Sequence, residues 1–195
     1  MALSCCEGLA LSAPRDDTGR ELNGFLADVE RKAFRMARIA LRHDDDALDA
    51  VQDAMLQLAR RYAARPPMEW RPLFYRILQN RIRDMQRRRK VRGKVMALLP
   101  WRRGEDDEMA DPVAEAPDHA PGPAEQVDGM GAMAALETAL AQLPTRQREA
   151  FLLRNMEGMD VAQTAVAMGC SGGSVKTHYF RAVQTLRAQL GEFWT

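Results

Sequence analysis

Cysteine is scarce in this chain. Cys5, Cys6 and Cys170 are the only three, and none stands in C-x-x-C spacing with another. That excludes a disulfide scaffold and a zinc site made of cysteines alone, and the Cys5-Cys6 pair reads as incidental. Histidine is equally sparse: His43, His119 and His178 lie far apart. No metal-spaced histidine pair, glycine-rich phosphate loop or nucleophile elbow occurs. We therefore expect neither an enzyme nor a cofactor. No apolar run approaches the ~20 residues of a membrane span. Met1 to Leu11 lacks the basic start and long apolar core of a signal peptide. The expectation is a cytoplasmic protein with no membrane insertion. Alternating strand patterns are missing as well, which leaves helix. With 195 residues, 46% of them hydrophobic, the chain is too apolar to be disordered throughout. It is long enough for one ordinary domain or two small ones.

The net charge of +1 conceals an uneven distribution. Residues 1–70 are nearly balanced. Arg71–Arg103 holds 12 basic residues against one acid, Asp84, whereas Glu105–Asp128 holds nine acids and no base. Residues 129–195 are balanced again. Blocks of one sign are interaction surfaces or solvated segments rather than core.

Apolar periodicity divides the chain further. Residues 1–20 show no sustained period and read as a flexible tail. Leu22, Phe25, Leu26, Val29, Ala33, Met36, Ala37 and Ala40 fall three and four apart, one face of an amphipathic helix. An aspartate of Asp44-Asp45-Asp46 is expected to cap the next helix rather than bind a metal. That helix should bury Leu48, Val51, Met55, Leu58 and Tyr62, and Pro66 and Pro67 should end it or mark the loop after it. A third helix should start near Trp70-Arg71-Pro72, with Pro72 in its first turn. Leu73, Phe74, Ile77, Leu78, Ile82 and Met85 form its apolar side, and arginines line the others. Residues 93–128, rich in Pro and acids, read as a linker too polar to repay ordering. Order resumes near Met130. Met133, Leu136, Glu137 and Leu140 belong to a helix ending before Leu143-Pro144. Thr145 should cap a second helix, stopped at Gly158. Asp160 should cap a third, stopped at Gly169, and Ser171 a fourth that runs to about Leu190. The expected fold is all-α: a three-helix domain over 21–92 and a helix-turn-helix domain over 129–195, joined by a flexible acidic linker.

The second domain has the marks of a DNA reader. Ala165, Gly169 and Val175 stand in helix-turn-helix relation: a small residue for close approach, a glycine for the left-handed turn, a β-branched anchor for the second helix. Ser171–Leu190 carries Lys176, Arg181 and Arg187 and no acid. Ser174, Lys176, Thr177 and Tyr179 sit near its start, the part of a recognition helix that enters the major groove. A plain helical hairpin with a solvated basic face is the competing reading.

The stretch Leu143-Pro144-Thr145-Arg146-Gln147-Arg148-Glu149-Ala150-Phe151-Leu152-Leu153-Arg154, followed by Gly158, Gly169 to Lys176 and Arg181-Ala182, closely resembles region 4 of bacterial RNA polymerase sigma factors. It is most similar to the small two-domain extracytoplasmic-function (ECF) group of the sigma-70 family. Asp49-Ala50-Val51-Gln52-Asp53-Ala54-Met55-Leu56 resembles the polymerase-binding part of region 2. Trp70, Leu73, Phe74, Ile77, Leu78, Asn80, Asp84 and Arg87 resemble its promoter-melting part. The resemblance covers about residues 22–90 and 130–190.

The resemblance implies a non-catalytic initiation subunit whose partners are core RNA polymerase and promoter DNA. Region 2 would dock on the polymerase through Asp49, Gln52, Asp53 and Leu56. These lie at helical spacings of three and four, a mixed acidic and apolar stripe suited to an arginine-rich helix. Region 2 would also melt the minus-10 box. Arg81, Arg83, Arg87 and Arg88 suit phosphates, Asn80 belongs to the matching motif, and Trp70 and Tyr75 are candidates for stacking on an unpaired base. Core packing competes with stacking for both rings. Region 4 would read the minus-35 box through Ser174, Lys176, Thr177, Phe180 and Arg181. The linker resembles a segment that threads polymerase channels, with a simple tether as the alternative. Many relatives are held by an anti-sigma factor, which would here be a separate chain. Leu73, where many members have Trp, and Thr164, where Ile is usual, depart from the pattern. Val175-Lys176-Thr177-His178 reads more like LuxR-type regulators, the alternative class, which leaves the first domain unexplained.

Overall fold

The computed structural model describes residues 15–97 and 124–191, and seven helices account for nearly all of them. Helices α1 (Arg15–Leu41), α2 (Asp44–Tyr62) and α3 (Pro67–Ala97) pack as one group. Helices α4 (Ala124–Gln142), α5 (Thr145–Asn155), α6 (Val161–Met168) and α7 (Gly172–Leu190) form the second. The all-α expectation holds among the described residues. The helices overrun the expected edges: α1 begins inside the segment read as a tail, and α3 and α4 each extend into the segment read as linker. What remains of that linker, 98–123, lies outside the described residues.

The first core is built from small and aromatic side chains. Along α1, Val29, Ala33, Met36 and Ala37 are buried. Against them α2 buries Ala47, Ala50, Val51, Ala54 and Leu58, a stripe at helical spacing that lets the backbones approach closely. Leu48, expected inside, is 44% exposed, because the alanine stripe turns it to the other side. From α3, Trp70, Phe74, Tyr75, Leu78 and Ile82 complete the core. Phe25 packs on Trp70 and Phe74, with ring centroids 5.9 and 6.2 Å away. Trp70 Nε1 donates to the Tyr62 carbonyl at 3.1 Å, which satisfies the buried indole.

Three expected local signals differ in detail. Helix α2 is capped by His43, whose Nδ1 accepts from the Asp46 amide at 3.3 Å; the three aspartates occupy the first turn, where the helix dipole favours them. Helix α3 starts at Pro67, so Pro72 lies inside it rather than in its first turn. Pro67 already supplies the donor-free residue that a first turn accommodates, and the Pro66 carbonyl accepts from the Glu69 amide. Pro144, not Thr145, holds the cap position of α5, with no side-chain cap bond.

The remaining signals hold. Asp160 and Gln163 form a reciprocal capping box at the start of α6, and Ser171 Oγ accepts from the Ser174 amide at the start of α7. Gly169 ends α6 at φ 63 and ψ 45, the left-handed region that glycine enters without cost, and its amide reaches back to the Ala165 and Val166 carbonyls. Gly158 is likewise left-handed, at φ 64.

Candidate nucleic-acid and polymerase interfaces

Helix α7 turns two different faces outward and inward. Val175, Ala182, Leu186 and Leu190 are buried against the second group. Lys176, Thr177, Phe180 and Arg181 lie on the opposite side and are exposed, Phe180 by 61%. Phe180 thus presents its ring on the same face as the two cations Lys176 and Arg181. Among the described residues no ion pair engages Lys176 or Arg181. Thr177 Oγ1 donates to the Gly173 carbonyl, and Ser174 is tied to Ser171 at the helix start. The base of α7 is held rigidly. Tyr179 stacks on Phe151 at 6.2 Å, lies under the Arg154 guanidinium at 5.9 Å and reaches Asn155. Arg154 in turn donates to the Met159 carbonyl. Arg148 is buried; burial, with a contribution from nearby Arg42, lowers its pKa, and Glu149 opposes that shift. Its guanidinium donates to the Ala141 carbonyl and so fastens α4 to α5. The recognition helix therefore stands on a fixed base, with its outer face free.

The expected polymerase stripe is also brought together. Asp49, Gln52, Asp53 and Leu56 are all exposed on the side of α2 opposite its alanine stripe, and Leu48 joins them. Asp53 is not free, however. It pairs with Arg81 of α3 at 2.5 Å, so a residue assigned to the polymerase and one assigned to DNA neutralise each other here.

The expected minus-10 set divides. Trp70 and Tyr75 are 1% and 0% exposed, so neither offers a ring face to a base in this arrangement; core packing takes both. Asn80 is exposed and accepts from Arg83 Nη2, while Arg83 Nε donates to the Gln79 carbonyl. Arg87 and Arg88 are exposed, Arg87 beside Asp84 of its own helix at 3.5 Å. Arg76 shares that outer face, one helical turn before Asn80.

The two helical groups are joined by ion pairs that no local sequence pattern marks, and among the described residues every such pair has its cation in the first group and its acid in the second. Glu137 of α4 meets Arg35 and Arg38 of α1, at 3.0 and 3.2 Å. Glu149 of α5 approaches Arg83 at 3.5 Å. Glu157, in the turn after α5, meets Arg71 at 2.6 Å and Lys32 at 3.8 Å. The Glu157 side chain is fully buried. The Arg71 guanidinium also binds Asp28 at 2.8 Å. Burial works against its charge, but the two carboxylates outweigh that and raise its pKa. Tyr75 lies in the same pocket, where burial first, and then the negative field of Glu157, push its hydroxyl well above the ordinary tyrosine range. No local motif announces such pairs, because their partners are up to 102 residues apart.

A helix-turn-helix with a free, rigidly based recognition helix, attached to a second helical group with a basic long helix, defines a two-domain DNA-binding transcription protein. The comparisons with known proteins make the class specific. The sigma-70 region 4 family matches residues 133–186. The ECF RNA polymerase sigma factor SigM of Mycobacterium tuberculosis is 32% identical over 166 residues, 83% of this chain and 72% of that one. SigV of Bacillus subtilis is 28% identical over 85% of this chain and 88% of its own length. Two solved structures share the fold. RpoE of Bartonella quintana, solved with the anti-sigma factor NepR, gives a TM-score of 0.61 at 24% identity, covering 90% of this chain and 97% of that one. CnrH, solved with the cytosolic domain of CnrY, gives 0.56 at 22%, covering 89% and 90%. The chain belongs to the ECF group of sigma-70 family RNA polymerase sigma factors, proteins of promoter-specific transcription initiation. A LuxR-type regulator would account for the second group alone, whereas the SigM and SigV matches run through both.

Proposed function

We propose that this sigma factor joins core RNA polymerase through Asp49, Gln52, Asp53 and Leu56 on α2 and reads the minus-35 box with Ser174, Lys176, Thr177, Phe180 and Arg181 on α7. The observation that carries the reading is the outer face of α7: cations and one exposed aromatic ring directly opposite its buried stripe, at the start of the helix that a helix-turn-helix inserts into the major groove. Asn80, Arg87 and Arg88, with Arg81 once it is released from Asp53 and Arg83 once it is released from Glu149, hold the strand of the melted minus-10 box. Trp70 and Tyr75 are left out of this assignment, since their rings are packed. The working compartment is the cytoplasm, and no helix among the described residues is long and apolar enough to cross a membrane. An anti-sigma factor, as found with RpoE, is a fitting inhibitor on a separate chain. The role is one of positioning and strand opening, with no reaction of its own.

Run-off transcription with purified core polymerase and a promoter library tests the proposal. A sequence-dependent transcript that requires this chain supports it. Transcription indifferent to the chain, or the same from every template, refutes it.

A further inference from the structure

The joint between the two helical groups carries an inference that rests on the region 2 and region 4 reading above. Helix α6 lies along α3; at one end of the joint Arg71 of α3 meets Glu157, in the turn before α6, and at the other Arg83 approaches Glu149 of α5. Arg71, Tyr75, Gln79 and Arg83 are four apart, one face of the helix. This face borders the outer arginines assigned to the melted strand, and Arg83 belongs to both. We propose that the structure is a self-latched closed state: the region 4 half docks on the promoter-melting helix of region 2, its carboxylates hold cations that would otherwise meet phosphates, and Glu157 is the latch.

Three observations support a latch rather than a permanent core. The first is the sign of the charges. Every cross-joint pair among the described residues sets a region 4 acid on a region 2 base, so the docked half imitates a polyanion, the same chemistry as a nucleic-acid strand. The second is where Glu157 is anchored. Both of its ion-pair partners, Arg71 and Lys32, belong to the other half, so its carboxylate is deeply buried only for the sake of the joint. The third is how loosely the buried carboxylates are held. Glu157 Oε1 and Glu149 Oε1 are buried without a hydrogen bond and face their cations, Lys32 and Arg83, only at 3.8 and 3.5 Å. Incompletely satisfied buried charges are costly, so the joint is one that water, phosphate or polymerase can exchange into.

The test uses the full chain without polymerase. Glu157→Gln keeps the shape of the side chain and removes its charge. Glu137→Gln at the rim of the joint serves as a second variant that touches no core. Neither acid bonds to a side chain of its own half except through Glu137 and Met133, which share Arg35, so far-UV circular dichroism should match the parent. Three quantities are read: the radius of gyration by small-angle scattering, amide exchange along 71–83, and the dissociation constant for a single-stranded DNA oligonucleotide. The parent should be compact. The double variant should expand, exchange faster along α3, and bind the oligonucleotide about tenfold or more tightly, since apparent affinity is reduced by the fraction of molecules that are closed. An extended parent, or variants as compact and protected as the parent, overturns the latch. Variants that open without any gain in DNA affinity overturn the occlusion. Neither result depends on promoter recognition, so failure of the run-off assay would count against the functional reading alone.

Discussion

Gly169 offers a sharp test of how the recognition helix is positioned. It joins α6 to the turn before α7 at φ 63, and a Cβ built there meets nothing within 4 Å. Substitution therefore creates no clash, and the whole cost is backbone strain. An L-residue with a Cβ pays about 1–2 kcal/mol in the left-handed region. A less flexible unfolded chain returns roughly 0.4–1 kcal/mol for Gly→Ala. The net loss expected for Gly169→Ala is on the order of 1 kcal/mol, which lowers the melting temperature of a domain this size by about 4–8 °C. Gly169→Asn should lose less, because asparagine tolerates this conformation, and Gly169→Val more, because β-branching does not. Gly172→Ala is the contrasting control: its backbone is ordinary helix, but the new Cβ would stand 3.2 Å from Val161 Cγ1. That loss should be relieved by Val161→Ala, whereas the loss at Gly169 should not. Thermal unfolding of the full chain, together with amide exchange in α6 and α7, measures each. Equal stability of the Ala, Asn and Val variants at Gly169 would refute the claim that a left-handed elbow sets the angle of α7.

Three further outcomes are expected. Gln52→Ala with Leu56→Ser should weaken capture by core polymerase at unchanged helicity; Asp53 is avoided because its loss would strand Arg81, whose Nε is already buried without a partner. Capture at parental strength would remove α2 from the interface. Arg181→Ala should alter preference at one position of a randomised minus-35 box at a cost of ~1–3 kcal/mol, while Lys176→Ala should weaken all sequences alike and flatten the salt dependence. If Arg181→Ala changes neither affinity nor preference, Ser174 and His178 become the next candidates. Tyr75 has a raised pKa in the folded protein. Its contribution is complete below the unfolded value of about 10 and is lost as pH rises further, because the unfolded chain then releases the proton that the folded chain keeps. Stability should accordingly fall more steeply above about pH 10 in the parent than in Tyr75→Phe; identical alkaline profiles would show that the phenol is not in a buried site.

Much of this protein is determined within a few residues of chain. The capping of α6 by Asp160 and of α7 by Ser171, the stop at Gly169 and the outer face of α7 need only helical periodicity and side chains that bond three residues onward. The stripe of Asp49, Gln52, Asp53 and Leu56 was legible for the same reason. Local rules faltered where two neighbouring residues could do the same job: His43 caps α2 in place of an aspartate, and Pro67 rather than Pro72 opens α3. They also faltered where side-chain size misled, for close packing of α2 chose Ala47, Ala50 and Ala54 over the larger Leu48. The tertiary structure alone decided the rest. Trp70 and Tyr75 are as well suited to stack on a base as to fill a core, and only the arrival of Phe25 beside Trp70 and of Glu157 beside Tyr75 settles which they do. The same holds for charge. Asp53 and Arg81, or Glu157 and Arg71, carry no mark of one another in the sequence. An ion pair requires its partners within about 4 Å, and that distance is set by how whole helices stack, not by any spacing along the chain.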